Sequence, residues 1–304
     1  MLRLLSAASA GFLFLLFACG IIKAAAQQSH ADSLLNLLNR DGRPAYVTAT
    51  FKATRIINGQ SIENVGAGVL DFRVAHRFGS LNQGIGNFFG LDNAVTKIGF
   101  DYGFTDWLMA GIGRGTYEKE YDGFIKVKLL RQTENYHMPV SLSYVGSIYI
   151  QSLKMPEISG AAYPFVNRMA YMNQLLIARK WSRHFSLQLM PTHIHYNIVP
   201  YATDPNNIFA LGIGGRVKLS NRIALTGEYY YVFPGASLSG YHNALSFGID
   251  IETGGHVFQL MFTNASAINE RVFIGETDGT WSKGIIHFGF NISRVFTIVK
   301  PKGF

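Results

Sequence analysis

His193 and His195 stand two residues apart in a segment that reads as a strand, so both rings project from one face, close enough to share a metal ion. No cysteine or carboxylate lies beside them to complete a site, and a strand histidine more often serves as an interface or lumen group. The pair is a candidate, and no metal centre is assigned on it. Gly-x-Gly recurs at 66/68, 84/86, 111/113 and 212/214. A phosphate-binding loop needs a following helix and, for nucleotides, a Lys-Ser/Thr pair. These glycines fall mostly inside strand-like segments, where they let side chains pack or the backbone bend, so no cofactor is expected. Serines and histidines occur, but no spacing singles out a nucleophile with its base. No enzymatic activity is expected.

The larger group of reactive side chains is ionic and alternates with apolar residues. Ile125, Val127 and Leu129 point one way while Lys126 and Lys128 point the other, and Leu70, Phe72 and Val74 alternate with Asp71, Arg73 and Arg77. The same period of two runs through 209–219, 245–252 and 286–292. If the apolar face meets lipid, the lumen receives Lys52, Arg73, Arg77, Lys97, Arg114, Lys126, Lys128, Arg216 and Lys218. It also receives Asp71, Asp101, Glu228, Asp250 and Glu252. That excess of basic groups would favour anions in a water-filled pore. Alternatively the groups pair across the lumen and fill it, with a short helix over 33–38 as a plug. Both readings stay open at this level.

The elements that must position these groups are strands. From Tyr46 onward thirteen strand-like segments follow one another, beginning with 46–58 and 64–78 and ending with 284–298. Since single-chain bacterial barrels normally have an even number of strands, twelve to fourteen are expected. Short connections (103–106, 181–184, 220–221, 253–255) alternate with long ones (79–93, 151–168, 198–206, 234–242, 264–282), as in membrane barrels with short periplasmic turns and long outer loops. Trp107 and Trp181 lie beside short turns, where an aromatic girdle belongs. Pro191 is expected to mark a bulge, with Leu187 and Leu189 before it and Ile194, Tyr196 and Ile198 after it in the opposite parity.

Composition agrees. Only 15 % of the 304 residues are charged, against about 25 % in soluble proteins. Residues 1–26 read as a signal peptide, with Arg3, an apolar core from Leu4 to Ile22, and Ala24-Ala25-Ala26 before cleavage near Gln27. Lipoprotein processing at Cys19, after Leu16-Phe17-Ala18, is the alternative. Cys19 is the only cysteine, so the mature chain carries no disulfide. Losing Arg3 and Lys23 lowers the net charge from +8 to about +6. Without a Lys/Arg run, nucleic acid is not an expected partner. Residues 27–45 form a short helical segment and 46–304 the barrel. No later stretch is apolar and long enough for a spanning helix. The terminal Phe304 resembles the signal read by the barrel assembly machinery, although Pro301-Lys302-Gly303 intervenes after the last strand.

The stretch 49–68 (ATFKATRIINGQSIENVGAG) with 70–79 behind it, the stretch 88–105 (FFGLDNAVTKIGFDYGFT) and the TYEKEYDG run within 113–132 resemble an uncharacterised outer-membrane β-barrel family of Bacteroidota. The resemblance spans essentially the whole mature chain and is strongest over 46–132. It implies an all-β single antiparallel barrel in the outer-membrane bilayer and carries over no catalytic residues. The expected function is a pore for small polar or anionic solutes, or else a closed barrel acting as a binding or scaffold component.

Overall fold

The computed structural model describes residues 45–153, 163–235, 237–253 and 255–300. The expected signal peptide, Cys19, the 33–38 helix and Phe304 lie outside the described residues. Twelve antiparallel strands follow one another around a closed barrel. They are β1 (Val69–Ser80), β2 (Ala94–Gly103), β3 (Leu108–Gly115), β4 (Glu120–Leu130), β5 (Ser141–Gln151) and β6 (Met169–Lys180). The second half comprises β7 (Phe185–Tyr196), β8 (Asn207–Lys218), β9 (Ile223–Val232), β10 (Leu245–Thr253), β11 (His256–Thr263) and β12 (His287–Thr297). Pairing of β1 with β12 closes the ring, from Val69 opposite Thr297 to Ser80 opposite His287. Closure leaves no strand edge, so every strand finds main-chain partners on both sides.

The alternation read from the sequence becomes two faces. Ile98, Phe100, Ile112, Ile125, Phe209, Leu225, Phe247 and Ile249 are exposed on the outside, an apolar wall. Trp107 and Trp181 are exposed beside the short turns, and the Arg179 guanidinium lies 5.3 Å from the centre of the Trp181 ring. A tilted strand of about 9–11 residues crosses a bilayer's hydrocarbon layer, and the strands here run from 8 to 12 residues.

Two sequence expectations are corrected. Residues 46–58 do not form a barrel strand, and their removal turns the odd count of thirteen into twelve. Residues 51–58 belong to a hairpin inside the lumen, where Arg55 bridges to Gln60, while Tyr46 bridges to Thr133 in the β4–β5 connection. Pro191 marks no bulge: β7 keeps one register with β8 from Phe185–Val217 to His195–Asn207. On the β6 side the register is also the same on both sides of it, with the pairs at Leu175 and Leu176 missing, because proline has no N–H to donate. What changes along β7 is the chemistry of each face. Gln188, Met190, Thr192, Ile194 and Tyr196 all turn inward and are buried, so Leu187, Leu189, His193 and His195 share the outer face.

Candidate functional site in the barrel lumen

The lumen is occupied by the chain itself. Ahead of β1, a hairpin (51–62) enters from the short-turn end. Its arms are joined by Ile56 N–H to the Gly59 carbonyl (2.9 Å) and Ser61 N–H to the Thr54 carbonyl (3.0 Å). A segment with only one such partner arm leaves main-chain groups unpaired, and burying them unpaired is costly. The barrel wall supplies the missing partners. At the tip, the Glu228 carboxylate of β9 accepts N–H bonds from Ile57 (3.2 Å), Asn58 (2.8 Å) and Gly59 (3.1 Å). Gln259 donates to the Ile56 carbonyl, Asn291 to that of Ile57 and Gln188 to that of Gln60, at 2.7–2.8 Å. The Lys126 ammonium donates to the carbonyls of Ser61 (3.0 Å) and Glu63 (2.9 Å). Gly59 passes so close to Tyr230 that a Cβ there would lie 2.1 Å from the phenol oxygen.

Charged groups continue the pattern. Arg55 of the hairpin and Arg73 of β1 both reach Asp101 of β2, at 3.1 and 3.4 Å. Arg77 donates to Asn58 (2.6 Å) and Asn291 (3.0 Å), Lys97 pairs with Asp122 at 2.9 Å, and Asp250 accepts from Gln259 at 2.9 Å. Lys52, on the hairpin rather than the wall, pairs with Glu252 at 2.5 Å. Asp71 and Arg216 are buried inward, while Lys128 and Lys218 face inward in half-buried positions nearer the short-turn end.

Arg114 departs from this set. It is exposed on the outer face of β3, opposite Tyr121, with its guanidinium 5.6 Å from that ring. The lumenal positions of β3 are Gly111, Gly113 and Gly115 instead. A Cβ on Gly111 would strike Phe124, and one on Gly113 would meet Asp122 and Lys97. With Arg114 outside and Glu120 and Asp122 turned inward, the wall is closer to charge balance than the sequence pattern suggested.

From the long-loop end, residues 264–286 fold into the barrel as a cap around one helical turn, α1 (Glu270–Gly275). Val272, Phe273 and Ile274 are buried. Phe273 packs edge-on against Tyr230 at 5.3 Å, and Gly275 lies against Tyr196 and Ile208. This apolar seat is why Ile194 and Tyr196 turn inward. Arg271 clamps the cap: it donates to Glu120 (2.6 Å), Glu276 (2.5 Å) and Glu118. Burial pushes the Glu276 carboxyl up to about 7; Arg271 works against that shift and Glu118 adds to it. Hairpin and cap meet at Glu270, which accepts from Gln60 at 3.2 Å. A cavity at this junction, lined by Arg55, Arg73, Lys97 and Glu270, and a second between the cap and the wall, lined by Val95, Gly115 and Val272, each hold no more than about one water.

His193 and His195 are not lumenal. Both lie on the outer face near the long-loop end of β7, with nitrogens directed at Asn207 of β8. The hairpin was missed in the sequence, and its one legible signal was the Asn58-Gly59 pair, a frequent hairpin turn. Arg271 and the Glu118, Glu120 and Glu276 carboxylates carried no local signal at all.

The family model described as Membrane bound beta barrel domain (DUF5777) matches residues 51–296. No curated protein matches the sequence. Among solved structures, the chain is similar in fold to the NanC porin (9 % identity, 76 % of this chain and 100 % of that one, TM-score 0.46). It is likewise similar to the KdgM porin (8 %, 75 % and 99 %, 0.45). A third likeness is to an outer membrane channel from Pseudomonas putida F1 (11 %, 77 % and 98 %, 0.47).

Proposed function

The chain belongs to the membrane-bound β-barrel domain family, and from that premise we propose that it is an outer-membrane channel for small polar solutes, closed at rest by its own hairpin. The barrel assembly machinery would insert it, and the apolar outer wall would meet the bilayer. The observation that carries the proposal is how the hairpin is held. Its tip hangs on one carboxylate, Glu228, with Ser246 and Arg77 on Asn58, and its arms on wall amides, Lys126 and the Arg55–Asp101 pair, with only Phe51, Ile56, Ile57 and Ile62 buried as apolar contacts. Water can replace each such partner at a limited net cost, about 0.5–1.5 kcal/mol for a neutral hydrogen bond and about 1.5–3 kcal/mol for one to a charged group such as Glu228 or Lys126. A plug held in this way can leave. Behind it the wall offers Arg73, Arg77, Lys97, Lys126, Asp101, Asp122, Glu228 and Asp250, a nearly balanced polar lining suited to hydrated solutes.

Planar-bilayer recording of the refolded protein tests this. The intact barrel is expected to be silent or to open rarely. A variant lacking residues 51–62 is expected to conduct steadily with only weak preference between anions and cations. A folded, heat-modifiable deletion variant that stays silent overturns the channel reading. The closed barrel serving as a binding or scaffold component would then hold, because cap and side chains alone would fill the lumen.

A further inference from the structure

On a wall built mostly of Leu, Ile and Phe, β6, β7 and β8 present a polar cluster to the outside. His195 lies directly opposite Asn207 in the β7–β8 ladder and opposite Tyr171 in the β6–β7 ladder. Two residues earlier, His193 lies opposite Phe209 and Asn173. Counted from Phe185, next to the Trp181 girdle, His193 and His195 are the ninth and eleventh residues of β7. Since about 9–11 tilted residues cross the hydrocarbon layer, the two rings sit at the far boundary, within reach of aqueous ions.

The nitrogens of both rings converge on one atom. His193 Nε2 is 2.9 Å and His195 Nδ1 3.0 Å from Asn207 Oδ1. Neighbouring rings fix their orientation: His193 stacks on Phe209 at 4.9 Å and His195 on Tyr171 at 6.4 Å. An amide oxygen only accepts, so in the metal-free site each ring carries its hydrogen on the nitrogen facing Asn207. With metal–ligand bonds near 2.1 Å, two donors at right angles in a coordination sphere lie about 3 Å apart. Both nitrogen–oxygen distances match that spacing. The sequence offered two imidazoles without a third donor, and the β7–β8 ladder brings the third from twelve residues further along the chain.

We propose that His193, His195 and Asn207 form a surface site for a divalent first-row transition ion, with water completing the sphere. Two imidazoles and a neutral amide suit Cu2+, Ni2+ or Zn2+ rather than Ca2+ or Mg2+, which prefer all-oxygen ligands. Among the described residues no three His, Cys, Asp or Glu side chains cluster for a metal, so the site carries no ligand charge and its affinity is modest. Binding moves each ring hydrogen to the nitrogen facing away from Asn207, leaving the lone pair for the metal. The site is independent of whether the lumen conducts.

Calorimetry of the untagged, refolded barrel with Zn2+, paired with Cu2+ electron paramagnetic resonance, tests the assignment. One Zn2+ per barrel is expected, with a Cu2+ spectrum split by two imidazole nitrogens. The double variant His193→Phe/His195→Phe, which keeps the outer wall aromatic, should lose both signals. Removing the amide donor with Asn207→Ala should weaken binding by at least what loss of an outer-sphere partner costs, about 10- to 100-fold, and Asn207→Asp should tighten it. No stoichiometric binding by the folded protein overturns the proposal. So does a double variant that binds as well as the parent, which would assign the ion to other exposed histidines such as His137 or His242. If the double variant fails the heat-modifiability test of folding, Asn207→Ala decides alone, and unchanged affinity overturns the site.

Discussion

The hairpin 51–62 and the cap around α1 fill one lumen from opposite ends and are held by different forces. The hairpin brings main-chain groups that it cannot pair internally, so the wall must supply acceptors and donors at fixed positions: Glu228, Gln188, Gln259, Asn291 and Lys126. The cap brings a helical turn that satisfies part of its own backbone. It can therefore seat Val272, Phe273 and Ile274 on Tyr196, Ile208 and Tyr230, and its charged contacts are two, Arg271 on the wall carboxylates and Glu270 facing Arg55 and Tyr149. Both plugs bury apolar side chains, Ile56 and Ile57 in the hairpin and Phe273 and Ile274 in the cap, but the hairpin's main chain depends on its container for hydrogen bonds whereas the cap's is partly self-satisfied. The hairpin is consequently the element that water can release, and the cap the element that pH can loosen.

The largest effect is expected from breaking the cap's clamp. Arg271→Met strands Glu120 among buried groups, and loss of one partner of a buried pair costs about 3–5 kcal/mol. Hydrogen exchange should show residues 264–286 deprotected while the strand amides stay slow. Protection lost evenly around the barrel would mean that the cap is not a separate unit.

Next comes the hairpin's anchor. Glu228→Leu leaves the N–H groups of Ile57, Asn58 and Gly59 without their acceptor, at about 1–3 kcal/mol for each buried donor. Limited proteolysis from the short-turn side should then cut within 51–62, and the bilayer recording should show more frequent openings than the parent. Glu228→Gln, which keeps an acceptor oxygen, should fall between the two. Equal protease resistance in all three proteins would contradict the account of how the hairpin is held.

The smallest effect is the cap's response to pH. The Glu276 carboxyl is raised in the folded protein to about 7 by burial, with Arg271 opposing and Glu118 reinforcing the shift. A raised carboxyl favours the folded cap below its unfolded value of about 4.3, and that contribution is lost as pH climbs through 7. Exchange in 264–286 should quicken between pH 5 and pH 8 beyond its intrinsic rate, and Glu276→Gln should flatten the trend. The hairpin should show no matching change at Glu276→Gln.

Much of the wall was legible in the sequence because a strand's faces alternate every two residues, whatever lies across from them. Arg73, Arg77, Lys97, Asp101, Lys126, Glu228 and Asp250 are inward and buried where the alternation put them. The pattern failed where one face had no bulk to mark it. In β3 the lumenal residues are glycines that make room for Phe124, Asp122 and Lys97, so Arg114 looked lumenal between them. It also failed on β7, where inward positions change from polar to apolar to seat the cap. That change imitates a shift of parity at Pro191, although the register is continuous.

A barrel with an apolar outside follows from backbone pairing in lipid and two-residue periodicity, which are local constraints repeated along the chain. Whether the interior is open depends instead on contacts between segments far apart in the chain. The hairpin meets Glu228 some 170 residues away, and Arg271 meets Glu120 from 151 residues away. Contacts at that separation depend on which strands close the ring and in what register, and no short-range pattern records them.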